Sequence, residues 1–347
     1  MSGILTGIFY FLVMVIVFGI LIFIHEFGHF FTARRCGVTI KEFAIGMGPK
    51  LFSWKSKKYD TKYALRLFPI GGFVSMVGED EASDDEGAFC NKKVWQRFLI
   101  TIAGPAMNVI LGFLLMLIVV LNQPIASTTI SEFNEGAISS SQLQVDDKIL
   151  SVDGVPVKSG TEAAYEIMNK GFEPIDITVE RNGVKTELKD VVFPSFEEQG
   201  VLFGDIDFKV YPEERTFFTL ISQTFTRSLS TVKMVIDSLV GLLSGRFGMD
   251  AVSGPIGVAE VVGQAAKTDW LQFVYIVTVL TINLGVFNLI PFPALDGGRT
   301  LFLIIEGIRR KPLNRNVETY INLAGMVILF AFMIFVSFKD IMKLIFS

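Results

Sequence analysis

The chain contains two histidines, His25 and His29, and they stand four positions apart with Glu26 directly after the first. On a helix, positions i and i+4 share one face about one turn apart, so both imidazoles can reach a single ion. Glu26 is displaced to the flank of that face, where a carboxylate approaches a water beside the ion rather than the ion itself. This His-Glu-x-x-His pattern points to metal-assisted hydrolysis, with Glu26 as general base. The three residues close an uncharged run of 22 residues, Gly3 to Ile24. Polar groups satisfied at a helix end account poorly for that position, because ionisable groups at membrane depth are functional by default.

A tetrahedral catalytic zinc takes three protein ligands and leaves one position open. The chain offers no third histidine. Cys36 shares the His29 face, but seven positions on it stands about 10 Å along the axis. The third ligand must then be a carboxylate from another segment. Asp296 is the acidic residue set most deeply in apolar sequence, between Leu295 and Gly297, and the helix breakers Pro291 and Pro293 precede it. Asp296 can also cap the helix that runs to Ile308, and the two roles are compatible.

These residues need elements to position them. The 347 residues are 51% hydrophobic and only 19% charged, and the charges are clustered. That balance describes a protein integral to a membrane. The net charge of −4 gives no sign of a nucleic-acid partner. Apolar segments fall at Gly3–Ile24, Phe98–Leu121, Leu271–Ile308 and Tyr320–Phe338, the third interrupted from Asn288 to Gly298. The first lacks the basic start and small-residue cleavage site of a signal peptide. Basic residues crowd the loop from Arg34 to Arg66 and recur at Arg309, Arg310, Lys311 and Arg315, which puts both loops inside. Four spans with both termini outside follow, and residues 122–269 become extracytoplasmic. Cys36 and Cys90 are too few for a disulfide framework and read as free thiols in a reducing compartment.

Phe43 to Val77 reads as β structure rich in glycine, including Gly46, Gly48, Gly71 and Gly72. Such backbone near a bilayer must be buried in protein or line a wet cavity. It is either an element dipping back toward the active helix, whose edge could receive an unwound substrate by strand addition, or a soluble hairpin. Gly78 to Glu86 reads as a solvated acidic loop. Ile130 to Leu188 alternates like short strands, with a helix near Glu162 to Lys170. From Arg215 to Leu243 the pattern is an amphipathic helix, with Phe218, Ile221, Phe225, Leu229, Val232 and Val235 on its apolar side. It lies against the bilayer or the spans, or is a plain packing helix.

Four motifs together resemble the site-2 protease family, in particular the bacterial branch that includes the regulator of sigma-E protease. They are His25-Glu26-Phe27-Gly28-His29, Gly104-Pro105-Ala106-Met107-Asn108, Ser253-Gly254-Pro255-Ile256-Gly257, and Asn283-Leu284-Gly285 through Leu295-Asp296-Gly297-Gly298. The resemblance covers nearly the whole chain. It implies one zinc ion on His25, His29 and Asp296, with Glu26 as the base. It also implies that Asn283, Asn288 and Pro291 help hold the substrate strand, and that Asn108 lies close to the site. Phe43 to Val77, with Gly71 and Gly72 as substrate contacts, resembles the family's membrane-reentrant β element. Asp146 to Gly154 resembles a PDZ domain of the bacterial protease type, one copy only, and departs from the usual glycines at Gln142 and Asp146. The implied substrates are single-span proteins trimmed beforehand by another protease, such as anti-sigma factors, and remnant signal peptides.

The expected fold is therefore a polytopic α-helical membrane protein of four transmembrane segments, with a reentrant β element and one extracytoplasmic PDZ-like α+β domain. Its divisions are residues 1–35 (first span), 36–93 (β region and acidic loop), 94–121 (second span) and 122–210 (PDZ-like). Residues 211–269 form an amphipathic helix and linker, 270–308 the broken third span, and 317–345 the fourth. The implied setting is the bacterial inner membrane, with the lipid bilayer as a partner and the site toward the cytoplasm. Two rival readings are a membrane adaptor that keeps a degenerate zinc site and a metal transporter. An adaptor would be expected to lose Glu26 or a ligand, and a transporter would need several sites along a path.

Overall fold

The computed structural model describes residues 3–79, 81–198 and 200–346, so Asp80 of the acidic stretch lies outside the described residues. The chain divides into two units, Met1–Leu115 with Ser253–Ser347, and Met116–Val252. Among the described residues four helices are long and apolar enough to cross a membrane: Leu5–Arg35, Val94–Asn122, Trp270–Leu289 and Asn316–Met342.

In the first unit, α1 (Gly3–Arg35) carries no charge before Glu26 and exposes Ile8, Phe11, Leu12, Ile16 and Ile20. α8 (Arg315–Phe346) likewise exposes Val327, Phe330, Ile334 and Phe335. Large apolar side chains bared along whole helices suit hydrocarbon and would associate in water. α2 (Val94–Asn122) contains Pro105, which removes one N–H from the helical ladder. α6 (Trp270–Leu289) ends just before Pro291, and α7 (Asp296–Arg309) starts after Pro293. The break holds Ala294 at a φ of 74°, a left-handed conformation unusual for alanine. The Ala294 N–H donates to Asn322 Oδ1 of α8 at 3.2 Å.

Residues 255–268, read from sequence as linker, are a helix, α5 (Pro255–Thr268), packed on α1. Val262 is buried against Val17 and Leu21, and Gly263 abuts Tyr10 so closely that a side chain there would collide with the ring. The N–H groups of Gly254 and Gly257, at the start of α5, donate to the Asp340 carboxylate of α8 at 3.2 and 3.1 Å. A carboxylate at a helix N-terminus satisfies orphan donors and opposes the helix dipole. This contact explains the Ser253–Gly257 motif, since a Cβ at Gly254 would stand 2.7 Å from the Asp340 carboxylate oxygen.

The strands β1 (Ile40–Lys55) and β2 (Lys62–Met76) form a hairpin that doubles back on itself. Trp54 and Lys55 pair with Tyr63 and Lys62. Phe43, Ala44 and Ile45 have Tyr63, Ala64 and Leu65 on one side and Val74, Phe73 and Gly72 on the other. The bends fall at Gly46, Gly48 and Gly71, all at φ of 82 to 84°, where glycine is the unstrained residue. Residues 72–76 thus form an edge of this sheet. They pack toward α1, with Phe30, Phe43, Val74 and Met76 in one apolar cluster.

The second unit is built on an antiparallel sheet in the order β10 (Phe208–Pro212), β3 (Ala126–Phe133), β4 (Lys148–Val152), β6 (Ile175–Arg181) and β7 (Val184–Val191), with β5 (Val155–Pro156) paired to β4. A separate hairpin joins β8 (Ser195–Glu198) to β9 (Val201–Gly204). The helix α3 (Gly160–Lys170) inserts Ala163 and Ile167 into a core with Ile130, Leu143, Ile149 and Ile177. Asp147 is fully buried and accepts from Arg181 at 2.7 and 2.6 Å. Asp146 adopts a φ of 72°, so the left-handed turn that favours glycine persists with aspartate in it. α4 (Phe217–Leu243) lays its polar side on α3 through Ser230 to Glu162 at 3.2 Å, Tyr165 to Asp237 at 2.9 Å, and Lys233 to Glu166. Partial burial and the Asp237 carboxylate push the Tyr165 phenol above its ordinary pKa. α4 also exposes Phe218, Phe225 and Leu229.

Candidate active site

Residues far apart in the chain converge within the first unit. α1 projects His25 and His29 from one face, and Asp296 reaches them from the first turn of α7. Asp296 Oδ2 lies 3.0 Å from His25 Nε2 and 3.3 Å from His29 Nε2, and the two imidazole nitrogens are 3.2 Å apart. Ligands of one tetrahedral zinc, with bonds of about 2.0 Å, stand about 3.3 Å from one another. These three are the histidines and carboxylate that could hold a metal ion among the described residues. Two imidazoles and a carboxylate are also a donor set that catalytic zinc accepts, leaving a fourth position open. The residues fit the ion.

The backbone prepares this convergence. Gly297 and Gly298 leave no room for a Cβ against the carbonyls of Leu289, Ile290 and Phe292, so the start of α7 folds tightly onto the break. Gly28 and Gly104 bring α1 and α2 into close approach; a methyl at Gly28 would collide with the Ala103 carbonyl and one at Gly104 with the His29 ring. That approach lets α2 touch both imidazoles. His29 Nδ1 lies 2.8 Å from the carbonyl of Ile100, and His25 Nδ1 lies 3.3 Å from the amide nitrogen of Asn108.

A cavity of about 190 Å³ opens beside the cluster, lined by His25, Glu26, His29, Asp296 and Arg299, by Phe73, Val74, Met76 and Glu79 of the sheet edge and its following loop, and by Ile100 and Thr101. Glu26 therefore shares the space with the three candidate ligands without joining their cluster. Gly72 stands against it, and a Cβ at that position would lie 3.0 Å from Glu26 Cγ. Arg299, one turn beyond Asp296, donates to Glu79 at 2.5 Å.

The sequence-expected residues divide accordingly. His25, Glu26, His29 and Asp296 line one cavity, with Asn108 behind His25 and Gly72 beside Glu26. Asn283 and Asn288 lie on α6, Pro291 lies in the break, and Gly71 sits in a bend against Met47; none of the four is in the cavity wall. Sequence reasoning missed Ile100, Glu79 and Arg299. A backbone carbonyl has no sequence signal, and the acidic stretch around Glu79 reads as solvated.

A paired imidazole cluster with a carboxylate beside it, set at the end of an apolar helix, defines a metal-dependent hydrolase built among membrane helices. A model of peptidase family M50 matches residues 13–332. A Fusobacterium nucleatum protein described as a candidate zinc metalloprotease is 35% identical over 96% of this chain and 99% of its own length. The regulator of sigma-W protease RasP of Bacillus subtilis is 29% identical over 95% and 97%, and the zinc metalloprotease RasP of Geobacillus kaustophilus 30% over the same shares. The chain belongs to peptidase family M50, the site-2 proteases, and is an integral membrane zinc metalloprotease.

Proposed function

We propose that this chain cuts peptide bonds inside the transmembrane segments of single-span proteins, with His25, His29 and Asp296 as the zinc ligands and Glu26 as the base. The observation that carries the reading is the convergence of Asp296 Oδ2 on both His Nε2 atoms, at 3.0 and 3.3 Å, beside a cavity that also holds Glu26. Zinc, when bound, supplies a Lewis acid that polarises a carbonyl and makes water acidic. Glu26 takes a proton from water in the cavity and delivers it to the departing amine. Arg299 and Glu79 form the far wall.

The hairpin of β1 and β2 is a membrane-reentrant element in this reading. A substrate segment unwinds and pairs with the edge at residues 72–76, next to Gly71 and Gly72. The break from Asn288 to Pro293, with Asn283 behind it, holds the other side of the strand. The sheet unit is a PDZ-like domain outside the cell membrane, and it excludes substrates with bulky outer domains. The reading keeps the domain divisions expected from the sequence and counts α5 with the spans. Both termini are extracytoplasmic and the site opens toward the cytoplasm of a bacterial cell. The name of the Bacillus subtilis relative supports substrates that control a sigma factor; their prior trimming by another protease belongs to the family resemblance.

The test is co-expression with a tagged single-span anti-sigma fragment lacking its outer domain. A shorter tagged product should form with the wild type and not with Glu26→Gln. A product made equally by both would refute the base assignment.

A further inference from the structure

Each candidate ligand imidazole has a second nitrogen, and α2 meets both of them. His29 Nδ1 is 2.8 Å from the Ile100 carbonyl. A carbonyl only accepts, so this nitrogen carries the proton and Nε2 keeps its lone pair toward Asp296 and the cavity. His25 Nδ1 faces the amide of Asn108, with Nδ2 at 3.3 Å. An amide NH₂ only donates. Facing it, His25 Nδ1 would have to accept, the ring proton would move to Nε2, and Nε2 could not be a ligand. Meanwhile Asn108 is fully buried, and its Oδ1 finds no donor. A half-turn of the amide exchanges its two ends and gives the Nδ1–H of His25 an acceptor.

We propose that Asn108 is a positioning residue for the metal site: its Oδ1 accepts the Nδ1 proton of His25 and so fixes the tautomer that leaves Nε2 free for the ion. This rests on the reading of His25 as a ligand. The spacing on α2 supports it. Ile100, Gly104 and Asn108 recur every four residues and so form one stripe of the helix. The stripe presents a carbonyl to His29, an empty position under the His29 ring, and an amide to His25, itself four residues from His29. Two imidazoles one turn apart thus meet two acceptors two turns apart, across a glycine that lets the helices touch.

Three forms of the full chain in detergent test this: wild type, Asn108→Leu and Asn108→Asp. Zinc affinity is read by competition with a chelator, and site formation by the visible absorption of cobalt(II) added in place of zinc. Aspartate can only accept, whereas leucine matches the size and does neither. Removing an outer-shell acceptor costs about 10–100-fold in metal affinity. The expected result is such a loss in Asn108→Leu, with Asn108→Asp at least as tight as wild type and a cobalt spectrum like it. If Asn108→Leu fails to fold, Asn108→Ala carries the same expectation, with metal-free melting as the check on folding. Equal affinity in wild type and the leucine variant, or an equal loss in the aspartate variant, would overturn the inference alone. No binding by wild type would overturn the zinc site and the inference together.

Discussion

Arg299 holds Glu79 by both its side chain and its backbone. One guanidinium nitrogen is 2.5 Å from the carboxylate and another 3.2 Å from the carbonyl of the same residue. The second Glu79 oxygen accepts from the Met76 N–H at 3.2 Å. The helix that supplies Asp296 is thereby tied to the sheet edge across the cavity. Hydrogen bonds to charged groups contribute about 1.5–3 kcal/mol each way they are lost. Arg299→Met and Glu79→Gln should each lower stability by about that much, and the double variant by little more than either. Additive losses in thermal melts of the four proteins would show that the two residues act separately.

If Asp296 is a zinc ligand as proposed, Asp296→Asn removes a charged donor in direct contact with the ion, and its loss of zinc affinity should exceed the 10–100-fold of changes behind the ligands. Chelation should lower the melting temperature of the wild type, because an ion at 100 times its Kd stabilises by about 2.7 kcal/mol. The same chelator should leave the Asp296→Asn melting curve where it was. Unchanged zinc content in the variant would remove Asp296 from the ligand set.

Gly104→Ala drives a methyl into the His29 ring, while Gly112→Ala meets Ile282 on α6, chiefly its side chain. Both crowd a helix contact, and overpacking of this kind costs about 1–3 kcal/mol. Only the first should lose zinc. Metal analysis of the two purified proteins decides the matter, and equal zinc in both would mean that His29 has room to move.

Arg181→Leu leaves the fully buried Asp147 carboxylate of the second unit with the Gln144 N–H at 2.8 Å and without its ion-pair partner. Removing one partner of a buried pair costs about 3–5 kcal/mol. The variant should melt lower, and its zinc content should stay at the wild-type level. Coincident loss of zinc would mean that the two units depend on each other for folding.

The metal motif was legible because its information is local: the i, i+4 spacing of His25 and His29 survives any arrangement of the rest. Asp296 was legible for a second reason, since Pro291 and Pro293 must end one helix and a carboxylate suits the start of the next. The packing of α5 on α1 had no such signal. Its contact depends on Gly263 fitting under Tyr10, a matter of shape rather than hydrophobic period. The doubled hairpin was visible as glycine-rich β structure, yet its order of strands depends on bends at Gly46, Gly48 and Gly71 whose directions no pattern states. Only the fold reveals the two N–H groups, of Gly254 and Gly257, that the Asp340 carboxylate serves.

His25 and Asp296 lie 271 positions apart in the chain (25 to 296), and the cluster needs both. Synthesis runs from the N-terminus, so the whole His-Glu-x-x-His motif leaves the ribosome long before its carboxylate partner exists. A nascent or truncated chain then carries every histidine of the centre and no centre. With the site as proposed, hydrolysis has to wait for α7, whose first turn carries Asp296.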